Sequence, residues 1–167
     1  MNRQIKKILN LLLIVISLFP ISMVSQGLQS KSSLQSNLGN IPGRKISSLN
    51  GRWQAIIDPM DAGIGSWKAL WKDLTPKGKS DFYEYSFEGA TMLDVPGDFN
   101  SQLTELTFYE STVWYKKKFV YEKDEQKKLF IHFGAVNYIA NVFLNSEKIG
   151  SHEGGFTPFQ FEITDKV

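Results

Sequence analysis

Cysteine is absent from this chain of 167 residues, and histidine occurs only twice, at His132 and His152. Without thiols there is no disulfide and no thiolate ligand or nucleophile, so stability has to come from a packed core. Two histidines and no cysteine also leave little from which a zinc site is built. No metal and no other cofactor is expected. Acidic side chains are missing from the first 57 residues, the first being Asp58. Six of the 19 basic residues (Arg3, Lys6, Lys7, Lys31, Arg44 and Lys45) precede Ser48, so the formal net charge of +2 belongs to the N-terminal part. From Ser48 onward there are 13 basic and 17 acidic side chains, a net of −4. A body of that sign lacks the basic footprint that a nucleic-acid partner requires. Also missing is an apolar run of the roughly 20 residues that cross a bilayer as a helix.

What stands at the N-terminus instead is a shorter pattern. Arg3, Lys6 and Lys7 precede an apolar run over residues 8–19, interrupted by Asn10 and Ser17 and closed by Pro20, and small or polar residues follow at Ser22, Ser25 and Gly27. That order is the order of a secretory signal peptide. A signal peptide over residues 1–25 is therefore expected, cleaved after Ser25 or Gly27, with the protein exported to the periplasm or the extracellular space and no stable membrane span left after cleavage. A retained anchor is the competing reading; a lipid-anchored form has no cysteine to carry it. Residues 26–47, rich in Ser, Gln, Asn and Gly, read as a flexible leader. Residues 48–167 are one domain's worth of chain, enough to bury a single core.

The body is dominated by alternation. Trp53, Ala55 and Ile57 share one face of a half-buried strand, which Asp58-Pro59 closes. Residues 82–87 and 91–95 read as short strands, the second ending at the Pro96-Gly97 turn. Over 112–121, Val113, Tyr115 and Phe119 alternate with Trp114, Lys116 and Lys118. Leu129, Ile131 and Phe133 alternate with Phe130 and His132. Tyr138, Ala140, Val142 and Leu144 alternate with Ile139, Asn141 and Phe143, and Phe159, Phe161 and Ile163 alternate with Gln160 and Glu162. A single helical stripe interrupts this: Trp67, Leu70, Trp71 and Leu74 at i, i+3, i+4 and i+7, with Ser66 placed to cap a short helix. Many short strands with turn signals between them predict an all-β, antiparallel jelly-roll sandwich with one short helix.

Groups that might carry chemistry are better explained otherwise. His152-Glu153 lacks the second histidine of a helical zinc motif, and the glycines after it break a helix. His132 lies in a strand and reads as a hydrogen-bonded structural residue. Gly150 to Gly155 has no Lys-Ser or Lys-Thr after it and is not a phosphate loop; it reads as a corner needing positive φ or close backbone approach. Asp94 and Asp98 flank a turn, and solvated turn residues account for them better than an acid–base pair. Aromatic faces can stack on sugar rings, but the strand pattern assigns most of Trp53, Trp67, Trp71 and Trp114 to packing. In the run Lys116-Lys117-Lys118 alternate side chains point to opposite faces, with at least one stem along the sheet and its charge in water. No catalytic residue is identified, and the substrate-binding residues are unknown.

Six segments, in order, carry a resemblance. They are Leu49-Asn50-Gly51-Arg52-Trp53; Gly63-Ile64 followed by Trp67 and Trp71; Val95-Pro96-Gly97-Asp98-Phe99-Asn100; Tyr109-Glu110 with Val113-Trp114-Tyr115; residues 133–145, ending Leu144-Asn145; and His152-Glu153-Gly154-Gly155-Phe156-Thr157-Pro158-Phe159. Together they resemble the N-terminal sugar-binding domain of glycoside hydrolase family 2, and the last segment resembles β-glucuronidases most. Ser111-Thr112 and Ser146 stand where that family commonly has glycine. The resemblance implies a jelly roll, incomplete at its C-terminal side, that belongs to a retaining glycosidase whose barrel with two catalytic glutamates is not in this chain. The implied partner is a carbohydrate or glycoside, met through the longer enzyme, and the chain alone is expected to be non-catalytic. A stand-alone carbohydrate-binding module, a fragment of a β-galactosidase-like member, or an exported structural β-domain are the alternatives. The strand around 159–163 is expected to need partners beyond Val167.

Overall fold

The computed structural model describes residues 6–16, 44–65, 68–75, 77–78 and 85–167, and all element statements below concern these residues. Eight strands are present: β1 (Lys6–Ile16), β2 (Gly51–Asp58), β3 (Thr91–Val95), β4 (Thr112–Glu122), β5 (Phe130–Phe133), β6 (Ile139–Leu144), β7 (Glu147–Glu153) and β8 (Phe159–Glu162). They form a six-stranded sheet of order β3-β2-β4-β1-β6-β7 and a two-stranded sheet of β5 and β8, with every pairing antiparallel. The fold is the expected all-β antiparallel sandwich.

The alternation read from the sequence is what builds the core. Leu9, Leu11 and Leu13 of β1, Trp53 and Ala55 of β2, Val113 and Tyr115 of β4, and Ala140, Val142 and Leu144 of β6 all point to one side of the large sheet. There they meet Ile131, Phe159, Phe161 and Ile163 of the small sheet, while Phe99 and Leu106 close the end. Successive strand residues point to opposite faces, so the residues between them make a second, smaller cluster on the outer face. It comprises Leu12, Ile56, Trp114 and Phe143 from the sheet, covered by Leu70 and Phe87 from loops.

Some segments differ from the sequence reading. Residues 6–16, expected within the signal peptide, form β1 in the middle of the large sheet. The short run over 8–16, apolar but for Asn10, satisfies a strand buried on both faces as well as it satisfies a signal peptide. The rest of the expected signal peptide and the leader up to residue 43 lie outside the described residues, as do Ser66 and Trp67. Where an amphipathic helix was expected over 66–74, the described part holds one 3-10 turn, Leu70–Lys72, flanked by Ala69 (φ 41°) and Asp73 (φ 50°). Left-handed residues on both sides stop the turn from propagating. Leu70 is buried and Trp71 stacks on Phe143 at 5.9 Å, but Leu74 is exposed. In the expected strand over 82–87, residues 82–84 are outside the described set and 85–87 are not strand. β7 is a strand that alternation did not reveal, because Glu147-Lys148-Ile149-Gly150-Ser151-His152-Glu153 is a mostly exposed edge with no apolar face. The strand over 159–163 has an internal partner on one side, β5, in the register Ile131 with Phe161 and Phe133 with Phe159. No helix among the described residues is long and apolar enough to cross a membrane.

Candidate functional site

Two places gather polar and aromatic groups: the corner after β7, and the outer face of the large sheet around β2 and β4. The corner begins where β7 ends, so the glycine-rich stretch divides in two. Gly150 lies inside the strand, and a Cβ there would collide with the Phe161 ring, which packs directly on its backbone. Gly154 is the turning residue, with φ at +129° and its N–H donating to the Tyr138 carbonyl at 2.8 Å. A Cβ on Gly155 would stand 2.8 Å from Asn137 Oδ1. Positive φ and close backbone approach are thus both required, as the sequence suggested.

His152 is held rather than free at this corner. Its ring stacks on Phe159 at 4.2 Å and its Nε2 lies 3.0 Å from Thr157 Oγ1. Phe159 in turn stacks on Phe133 at 4.8 Å and meets Phe161 edge-on. The segment His152 to Phe159 is therefore a clamp in which one imidazole face continues an aromatic stack from the core. Phe156, at its tip, is 94% exposed, and so offers an apolar face outward. His132 lies on the exposed side of β5, away from the core. Among the described residues no group of three or more His, Asp or Glu sits together as a metal site would.

On the outer face the organising group is Asp58, fully buried at the end of β2. Its Oδ1 accepts from the Ala62 N–H at 2.9 Å and the Tyr85 hydroxyl at 3.1 Å; its Oδ2 accepts from the Gly63 N–H at 2.7 Å and the Trp114 indole N–H at 3.0 Å. Four donors satisfy a carboxylate that would otherwise be costly to bury. Gly63 is required here, since a Cβ would meet Trp114 Nε1 at 2.7 Å and Asp58 Oδ2 at 2.9 Å. Asp61 accepts from the Thr112 hydroxyl beside it. Sequence reading took Asp58 as a strand terminator and missed its role; the signal available was an acid directly after an apolar strand and five residues before Gly63.

One turn of chain further on, Asp73 takes the ammonium of Lys116 on one oxygen and the Asn10 amide N–H on the other at 2.9 Å. Lys116 is 6% exposed and lies 4.9 Å above the Phe87 ring. In the lysine run, Lys118 is exposed and Lys117 donates to the Arg52 carbonyl at 3.0 Å, while the charge of Lys116 is buried against a carboxylate and an aromatic face, which the sequence reading did not anticipate. Beside Lys116 opens a cleft of about 390 Å³ lined by Gln54, Asp73, Thr75, Ser86, Glu88 and Lys118, with Phe87 also in its wall. Such a mixture of donors, acceptors and one ring suits a hydroxylated ligand. Of the carboxylates that line the cleft, Asp73 is paired with Lys116 and Asn10.

The remaining candidates behave as the bland readings required. Asp94 and Asp98 are exposed; Asp94 exchanges two backbone hydrogen bonds with the Gln102 amide, and Asp98 accepts from the Asn100 N–H at the start of a 3-10 turn. Trp53 is buried with its indole N–H on the Leu49 carbonyl at 2.9 Å, and Trp114 is fully buried. Burial pushes the Tyr115 hydroxyl up to about 12, aided by the charge of Asp98. Tyr109 is likewise pushed up to about 12, chiefly by burial.

Residues 89–167 match the family described as glycosyl hydrolase 2 galactose-binding domain-like. A β-galactosidase of Thermoanaerobacter pseudethanolicus is 36% identical over 102 residues, which is 60% of this chain and 14% of that protein. A β-glucuronidase of Bacteroides fragilis is 38% identical over 90 residues, 51% of this chain and 13% of that protein. A crystal structure of the Ruminococcus gnavus β-glucuronidase in complex with D-glucuronic acid superposes with a TM-score of 0.56 at 26% identity, covering 72% of this chain and 19% of that one. The chain spans about a seventh of these two curated relatives and a fifth of that solved structure. The family match takes in the strands from β3 onward.

Proposed function

We propose that this chain is the N-terminal sugar-binding sandwich of an exported, retaining β-glycosidase acting on β-glucuronides, and that it has no hydrolytic activity alone. The observation that carries the reading is the relation of coverage. Glucuronidase structures superpose on most of this chain while most of their own length lies outside the match. The clamp from His152 to Phe159 supports a glucuronidase over other members, because it is the segment whose sequence most resembles theirs. The basic, apolar and small-residue order of residues 1–27 supports export.

Three measurements test this. Purified chain incubated with an aryl β-glucuronide is expected to release no phenol; turnover by the chain alone would overturn the reading. Transcript sequence past codon 167 is expected to continue in frame into a barrel with two glutamates, and a frame that ends at once without such a region would count against it. N-terminal sequencing of protein from the exported fraction is expected to begin between residues 26 and 28, and recovery with Met1 intact would remove the export claim. A β-galactoside as substrate of the longer enzyme is the second reading, favoured by the 102-residue match to a β-galactosidase. Titration with glucuronate against galactose, watching tryptophan fluorescence, separates the two.

A further inference from the structure

The cleft on the outer face of the large sheet carries an inference about its ligand. Its floor is strand: Gln54 of β2 pairs with Lys116 of β4, and Lys118 follows two positions on, pointing to the same face. Both walls are tied to that floor. On one side Asp73 takes the Lys116 ammonium, and its own N–H donates to the Leu70 carbonyl at 3.0 Å. On the other, Gln54 Nε2 donates to the Phe87 carbonyl at 2.7 Å and the Glu88 N–H donates to Ser86 Oγ at 3.2 Å. Burying the Lys116–Asp73 pair adds little to stability, because desolvation offsets much of its attraction. Its effect is to hold a donor and an acceptor at fixed places in the cleft. Further out, Glu88 and Lys118 are exposed, and neither charge has an ion-pair partner among the described residues. Leu74, 66% exposed, adds an apolar surface to the wall beside Asp73.

We propose that this cleft is a binding site for a pyranose, gripped through its vicinal hydroxyls and not through a carboxylate. The inference rests on the reading of the chain as a sugar-binding sandwich and says where on it a sugar sits. The volume of about 390 Å³ lies in the range of clefts that hold small molecules. The two ammonium groups and two carboxylates that line it sum to zero charge, so an anionic ligand gains no net attraction over a neutral one. An ammonium only donates and an ionised carboxylate only accepts, whereas a hydroxyl does both. Neighbouring hydroxyls on one ring therefore serve a lysine and an acid together, whichever way the ring enters. The C–H face of the ring suits Leu74, which it removes from water. Because both walls are fastened to the sheet before a ligand arrives, little ordering is left to oppose binding.

The test is a ligand-observed NMR titration of the full chain with methyl β-D-glucopyranoside. A dissociation constant on the order of 1 mM is expected. Glu88→Gln and Lys118→Met, both at exposed positions outside the core, are expected to leave the melt unchanged. Each is expected to weaken binding at least about fivefold, because each removes a charged hydrogen-bond partner. The methyl β-glucuronide is expected to bind within about threefold of the glucoside, and tetrahydropyran, a ring without hydroxyls, is expected not to bind. Glucuronide binding tighter by about tenfold or more, with the gain lost in Lys118→Met, overturns recognition through hydroxyls. Sugar binding that neither substitution alters overturns the assignment to this cleft and leaves the sugar-binding reading of the sandwich standing. Binding of neither glycoside overturns the inference outright, while continuation of the frame into a barrel still decides the broader reading on its own.

Discussion

The inner face of the large sheet presents Leu9, Leu11, Trp53, Val113, Val142 and Leu144 to the small sheet, with no ionised group among them. The outer face presents Leu12, Ile56, Trp114 and Phe143, but among these sit the Asp58 carboxylate and the Lys116–Asp73 pair. The inner face is held by removal of apolar surface from water, which is non-directional and tolerates approximate shapes. The outer face is held by directed hydrogen bonds that recruit loops, and a directed network fails as a unit when one member is lost. One sheet therefore has a robust side and a brittle side, and the polar cleft opens on the brittle one.

Breaking the outer face at its hub gives the largest expected effect. Asp58→Ala strands the Ala62, Gly63, Tyr85 and Trp114 donors and is expected to cost about 4 kcal/mol in a urea melt. In a double-mutant cycle with Trp114→Phe the losses should fall short of additivity, because the two share one bond. The inner counterpart, Leu93→Ala, removes a fully buried side chain and is expected to cost about 3 kcal/mol. Its effect should add to that of Asp58→Ala; strong coupling between them would erase the distinction between the faces.

Alkali places a charge on the inner face without mutation. The Tyr115 hydroxyl is raised from 10.0 to about 12 by burial, so the folded protein holds its proton more tightly than the unfolded chain. The stabilisation is whole below pH 10 and is lost as the pH climbs from 10 toward 12, by on the order of 2 kcal/mol. Tyr115→Phe should flatten the part of the stability–pH curve that this group contributes. A smaller change acts at the seam between β7 and β8: Gly150→Ala pushes against Phe161 and is expected to cost about 1.5 kcal/mol, partly recovered with Phe161→Leu. Least of all, Lys128→Ala breaks an exposed 3.2 Å pair with Glu162 and should change the melt by no more than about 0.5 kcal/mol.

The same contrast explains what could be read from the chain alone. Period-two alternation placed the inner residues of β2, β4, β5, β6 and β8 correctly, because burial on one face writes itself into sequence. It missed β7, an edge with no face to hide, and it misjudged the segment containing Leu70 and Trp71, where a stripe at helical spacing is met by a bent loop instead. Of the outer site little was visible. Asp58 gathers donors that lie 4, 5, 27 and 56 residues away, and no local pattern encodes such a meeting. The glycine corner was legible because positive φ and close approach leave few residue choices.

The central place of β1 also sets an order of events during synthesis. Asn10 leaves the ribosome long before Asn145, which donates its backbone N–H to the Asn10 carbonyl and accepts the Asn10 N–H on its side-chain oxygen across a separation of 135 residues. At about 5–20 residues per second, some 7–27 s pass between the two. Until β4 is made, the apolar run has no strand to pair with, so any factor that collects nascent hydrophobic segments meets it before its own sheet does. The first strand made must wait for both of its partners, which are made far later in the chain.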